Sequence, residues 1–183
     1  MGNQVEQGLF SPFLQRVRIA AARPHLRGQV LDIGCGNGAL AAFVDPDLYL
    51  GMDRDKEALT AARASFPKHQ FTEKLPANGP FDTIVALALI EHLTEPQAEL
   101  KLWSSLLSEG GRIVLTTPCR SFRSVHELGS RAGLFSQDAA REHVEMFNRR
   151  SLTALAEQVG LHLVYYVHFL GVANQLAIFG RRT

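Results

Sequence analysis

The chain has 183 residues, of which 46% are hydrophobic and 20% charged. This is the balance of a single globular domain that buries roughly 70% of its unfolded surface. Two cysteines, Cys35 and Cys119, are too few for a disulfide framework and lack zinc-ligand spacing, as expected of a cytoplasmic, reducing environment. A net charge of +1 lacks the basic footprint of a nucleic-acid binder. The longest apolar run, Ile84 to Ile90, falls short of the ~18 residues of a membrane span, and the opening MGNQVEQ does not read as a signal peptide.

The elements follow in chain order. Ser11 as N-cap and Pro12 at the first helical position start a helix that Arg23-Pro24 stops. Phe10, Phe13, Leu14, Val17 and Ala21 form its apolar stripe. Gln29 to Ile33 is a short apolar strand, followed by a glycine-rich turn over Gly34 to Gly38 and a short helix to Phe43. Leu48 to Met52 is the second strand. Asp55 caps a helix carrying Ala58, Leu59 and Ala62, and His69 to Thr72 is a third strand. Phe81 to Leu89 is nearly all apolar, the pattern of a strand covered on both faces. Thr94 and Gln97 form a capping box around Pro96, for a helix that reaches about Ser108 and stops before Gly110-Gly111. Arg112 to Thr117 is the fifth strand.

The alternation then breaks. Residues 118–147 are polar and mixed, and are read as an insertion serving as a substrate lid. Asn148 caps a helix with Leu152, Leu155, Ala156 and Val159 on one face, and Gly160 stops it. Leu161 to Phe169 and Gln175 to Phe179 close the chain as a hairpin. Five strand–helix units and a terminal hairpin predict an α/β fold. Its sheet is doubly wound, seven-stranded and mostly parallel, with an antiparallel C-terminal strand. One domain spans 1–183, with 1–27 as its N-terminal helical region.

The informative stretch is Asp32-Ile33-Gly34-Cys35-Gly36-Asn37-Gly38. It lies where a strand ends and a helix begins, the crevice in which open α/β sheets bind ligands. Glycines there let the backbone approach a ligand with no Cβ in the way. Asp53, ending the second strand, is placed to accept hydrogen bonds from both hydroxyls of a ribose. The constellation is a nucleoside site. Gly34-x-Gly36-x-x-Ala39 also fits the loose dinucleotide fingerprint. Asp32, two residues before the first glycine, suits a cationic amino-acid end better than a pyrophosphate.

The stretch resembles motif I of the class I S-adenosylmethionine-dependent methyltransferases, in the ubiquinone- and menaquinone-type branch. Leu50-Gly51-Met52-Asp53 is similar to that family's second motif. Phe81 to Val85 is similar to its fourth strand, Leu89-Ile90-Glu91-His92-Leu93 to its "LEHL" stretch, and Gly110-Gly111 to the pair before its fifth strand. The resemblance implies a Rossmann-like fold and S-adenosylmethionine as cofactor, leaving S-adenosylhomocysteine. It implies cofactor contacts from Asp32, Gly34, Cys35, Gly36, Gly38, Asp53, Arg54, Glu73, Leu75, Leu87 and Leu89, and no metal. Glu73 stands near where many members place the acid that holds the adenine amino group. Ala88 replaces a polar residue often found there. No Asn/Asp-Pro-Pro-Tyr follows the fourth strand, which argues against bases as acceptors.

The expected reaction is methyl transfer to an O, N or C atom of a small molecule. The alternatives are a non-catalytic S-adenosylmethionine-binding subunit and a methyltransferase acting on a macromolecule. The cofactor carries the hard chemistry, so positioning dominates. His143 is the candidate general base for a hydroxyl acceptor, with His126 and His92 behind it. The remaining polar residues read as structural: Glu91-His92 as packing or capping, Asp82 as an anchor, Cys35 and Cys119 as small fillers. Trp103 reads as core. Arg16 and Arg18 read as a solvated helix face, with the alternative that one reaches the cofactor carboxylate.

Overall fold

The computed structural model describes residues 12–119 and 147–181. Its seven-stranded sheet has the order β3-β2-β1-β4-β5-β7-β6, built from β1 (Val30–Ile33), β2 (Tyr49–Met52), β3 (Gln70–Thr72), β4 (Phe81–Leu87), β5 (Leu107–Pro118), β6 (Leu161–Phe169) and β7 (Asn174–Arg181). β7 inserts between β5 and β6 and pairs antiparallel with both; the β3, β2, β1, β4 and β5 neighbours are parallel. This is the predicted doubly wound sheet with its reversed last strand.

Helices cover both faces. α3 (Pro96–Ser105) and α4 (Arg149–Gln158) bring Leu100, Trp103, Leu152 and Leu155 against Leu31, Ile84, Ile113 and Phe179. α1 (Pro12–Ala22) packs Ile19 and Ala22 over the other face, against Val30, Val85, Val114 and Leu176. The α2 helix (Lys56–Ser65) is capped as expected, the Asp55 carboxylate accepting from the Glu57 and Ala58 amides. Asn148 and Ser151 form a reciprocal capping box at the start of α4, and Trp103 is fully buried.

Three readings are corrected. First, α1 buries Arg18, Ile19 and Ala22, whereas Phe13 is 60% exposed. The buried stripe sits beside the predicted one because the helix presents its small and β-branched residues, not its largest apolar side chains, to the face of the sheet. Second, α3 begins after Glu95 with no side-chain cap, so Thr94 and Gln97 make no box. Third, α3 ends at Ser105, and β5 starts at Leu107, ahead of the glycine pair, by pairing Leu107 with Phe81.

The edge of the sheet remote from the β-strand C-termini is tied by Asp82. Its Oδ2 accepts from the Gln29 amide (2.9 Å) and its Oδ1 from the Ser108 hydroxyl (2.6 Å). Ser108, then Gln29, hold this carboxyl below the ordinary carboxylate range. Its contribution is therefore present at neutral pH and lost as pH falls through that depressed value. Asp82→Ala is expected to lower unfolding free energy by at most about 1 kcal/mol, because water competes at that edge. Urea unfolding at about pH 7 and about pH 3 checks this: the deficit of the variant shrinks in acid.

Candidate active site

β1 and β2 end together, and the turn between β1 and the following 3-10 segment (Ala39–Phe43) is folded back over their C-terminal edge. The Gly34 and Cys35 amides both donate to the Met52 carbonyl (2.8 and 3.0 Å), fastening the turn to β2. The Gly36 amide donates to Asp53 Oδ2 (2.8 Å), and the Asp55 amide to Asp53 Oδ1 (2.9 Å). Gly34, Gly36 and Gly38 all have positive φ (73°, 52° and 76°), a region that costs an L-residue roughly 1–2 kcal/mol. A Cβ built on Gly36 meets nothing within 4 Å. The turn thus leaves open volume above its middle glycine, while the amide of that same glycine is pinned to the Asp53 carboxylate. Each Asp53 oxygen keeps a lone pair for another donor.

Asp32 lies under this turn, 3% exposed, with Oδ2 accepting from the Tyr49 hydroxyl (2.8 Å). Burial pushes its carboxyl up to about 7; the Tyr49 hydrogen bond opposes this and the Asp53 charge adds to it. Cys35 is buried, and desolvation, then the Asp32 and Asp53 charges, push its thiol up. It is not a nucleophile here, as the sequence suggested. Leu89 leans against Gly34, where an added Cβ would lie 3.2 Å from its methyls. Leu87 and Leu89 are half-buried on either side of Ala88, which takes φ 54°.

Other predicted positions lie further out. The Arg54 side chain is 79% exposed and pairs with Glu99 (3.4 Å); Glu73 pairs with Lys56 (3.5 Å). Leu75 is half-buried against the main core. His92 is exposed. His143, His126 and the 118–147 insertion, apart from Pro118, Cys119 and Phe147, lie outside the described residues. The two flanks of that stretch are held together, since the Gln175 side-chain amide donates to the carbonyls of Pro118 and Phe147 (3.1 and 2.8 Å).

Sequence reasoning missed a buried polar group on the β4–β5 side of the crevice. Arg18 is 5% exposed, not solvated, and donates to the Asn174 side chain (3.2 Å). Glu91, 1% exposed, has two carboxylate oxygens that complete no hydrogen bond. Burial pushes it up to about 7, against the charge of the Arg18 guanidinium. On α1, Gln15 donates to Asn37 in the glycine turn (3.2 Å). The helix thus touches both the turn and the β5–β7 end. Helical spacing sets Arg18 beside Leu14, Ala21 and Ala22, unlike the exposed Arg16, but its partners Asn174 and Glu91 are remote in sequence.

A doubly wound sheet with a glycine turn after β1, a carboxylate at the end of β2 and apolar side chains at the end of β4 has the architecture of the Rossmann-like class. Residues 6–166 match the family model described as a methyltransferase domain, and the chain belongs to that family. The chain is 29% identical over 108 residues to a ubiquinone biosynthesis O-methyltransferase of Vibrio atlanticus, a match covering 52% of this chain and 46% of that protein. It thus spans about half the length of that relative. A Coxiella burnetii protein of the same name is 25% identical over 167 residues, covering 82% and 71%. Among solved structures, magnesium protoporphyrin IX methyltransferase of Synechocystis with bound S-adenosylhomocysteine superposes with a TM-score of 0.70 at 18% identity, covering 100% and 89%. A possible histamine N-methyltransferase of Thermotoga maritima gives 0.71 at 16%, covering 97% and 94%. These two show the fold. The open volume above Gly36, the Asp53 lone pairs and the buried Asp32 carboxylate fit a cofactor with a ribose and a cationic amino-acid end.

Proposed function

We propose that the chain transfers a methyl group from S-adenosylmethionine to a small-molecule acceptor. The observation that carries this reading is the Gly36–Asp53 clasp (2.8 Å) beneath open volume. It presents a backbone turn and a carboxylate to one nucleoside, with no side chain between them.

Asp53 binds the ribose hydroxyls, and the Gly34–Gly38 turn lines the path from ribose to the amino-acid end. When bound, the cofactor supplies the activated methyl. In the strand order, β1 and β2 carry the nucleoside side, so the reacting end falls toward β4 and β5. There Leu87 and Leu89 exclude water and align the acceptor. A small acceptor is supported by the near-zero net charge and by the ubiquinone pathway name of the relatives.

The test is calorimetric titration with S-adenosylhomocysteine and NAD, then turnover of labelled S-adenosylmethionine against a panel of phenols, amines and quinone precursors, with duplex DNA and structured RNA as controls. Micromolar binding of S-adenosylhomocysteine and methylation of a panel member support the reading. Tighter binding of NAD rejects the cofactor, and methylation of RNA alone rejects the acceptor class. Cofactor binding with no turnover on any acceptor favours a non-catalytic subunit.

A further inference from the structure

The Tyr49–Asp32 pair has no counterpart among the predicted site residues. Asp32 on β1 sits opposite Gly51 of β2, and Tyr49 is two residues earlier on the same face of β2. Its hydroxyl donates to Asp32 Oδ2 at 2.8 Å, and both residues are 3% exposed. The ring is held by edge contacts with His69 and Phe71, at 5.4 and 5.8 Å between centroids. The donor is therefore fixed before any ligand arrives. The carboxylate it holds lies two residues before Gly34, directly beneath the glycine turn.

We propose that Tyr49 is a positioning residue for the cofactor: its hydroxyl holds the Asp32 carboxyl in one orientation, as the buried counter-charge for the ammonium of the amino-acid end of S-adenosylmethionine. This rests on the cofactor reading under Proposed function.

The physical argument is a balance. Burial disfavours the Asp32 anion, and the Asp53 carboxylate at the end of β2 disfavours it further. The Tyr49 hydrogen bond is what opposes them. The other groups facing this spot do not neutralise it. Cys35 above is a thiol pushed away from ionisation, and Tyr49 itself is held neutral by burial and by Asp32. Arg63 of α2 acts on Cys35 and donates to the Phe71 carbonyl. With the carboxyl near 7, a cation bound above it must favour the deprotonated form, so affinity and protonation are linked.

The experiment has a ligand-free arm and a binding arm. In the first, the side-chain carboxyl of Asp32 is titrated by carbon NMR in the wild type and in Tyr49→Phe. Loss of the hydroxyl is expected to raise the Asp32 pKa by about one unit. In the second, affinity for S-adenosylhomocysteine, which keeps the ammonium, is measured from about pH 5.5 to about pH 9. Methylthioadenosine, which lacks the amino-acid end, is measured alongside. Wild-type affinity for S-adenosylhomocysteine is expected to fall about tenfold between about pH 8 and pH 6. Tyr49→Phe should bind it about fivefold more weakly near pH 7 but almost normally near pH 9, and bind methylthioadenosine like the wild type throughout. Asp32→Asn should give a flat profile.

An unchanged Asp32 titration in Tyr49→Phe overturns the proposal while leaving the cofactor reading intact. So does an affinity loss equal at every pH, or equal for both ligands, which is the mark of a packing role. Wild-type protein that binds neither ligand at any pH overturns the cofactor reading, and the counter-charge role with it.

Discussion

Gly36→Val is expected to abolish cofactor binding, a loss of at least about a thousandfold or ~4 kcal/mol, while leaving the protein folded. The Gly36 Cβ would enter open space, with no atom within 4 Å, so the valine meets no protein wall. What it meets is the volume reserved for the ligand. The fold loses only the backbone strain of a β-branched residue at φ 52°, about 1–3 kcal/mol. Two other glycines serve as controls. Gly110→Val carries a similar strain at φ 70° into equally open space, but at the start of β5, away from the crevice. It should bind the cofactor normally. Gly51→Val would push its Cβ to 2.6 Å from Phe71 and 3.0 Å from the Cys35 sulfur. It should lose stability first, because both neighbours are packed in place. Titration calorimetry beside thermal melting separates the three outcomes. Gly36→Val binding S-adenosylhomocysteine within tenfold of wild type would mean that the ligand lies elsewhere.

Asp53→Ala should weaken cofactor binding by about a hundredfold, or ~2.7 kcal/mol. Two losses combine. The ribose hydroxyls lose a charged acceptor, worth ~1.5–3 kcal/mol where water is excluded. The Gly36 and Asp55 amides lose the carboxylate that orders the turn, so part of the binding energy must go into reordering it. Asp53→Asn, which keeps one carbonyl oxygen, should fall between the alanine variant and the wild type. The comparison is made on dissociation constants, with circular dichroism checking the fold. Equal affinities for the alanine variant and the wild type would remove Asp53 from the site.

Much of the architecture is written in local pattern. β6 spans Leu161–Phe169 as its pattern predicts, and Asp55 and Asn148 cap the helices expected of them. Such signals are carried by adjacent residues: a periodicity, a cap three positions from its partner, a glycine where φ must be positive. The boundary between α3 and β5 departs from the local pattern for the converse reason. Leu106 and Leu107 continue the helical apolar spacing of Leu100 and Trp103, yet Leu107 pairs with Phe81. A hydrogen bond to a strand far away in sequence outweighed the local preference.

For the site the same division holds. From residue order alone came the glycine turn and its acid partner Asp53. These depend on a strand, a turn and the next strand, all within one short stretch of chain. What only the tertiary structure decided is everything that needs two distant segments to meet. It brought Arg18 of α1 down beside Asn174 and Glu91, where a helical arginine read as solvated. It laid β7 between β5 and β6, so that Gln175 holds Pro118 and Phe147 together. And it placed the Tyr49 hydroxyl on Asp32 across two strands. Such contacts follow from which face of an element the whole sheet buries. That choice minimises exposed apolar area over the entire molecule, and no window of sequence contains it.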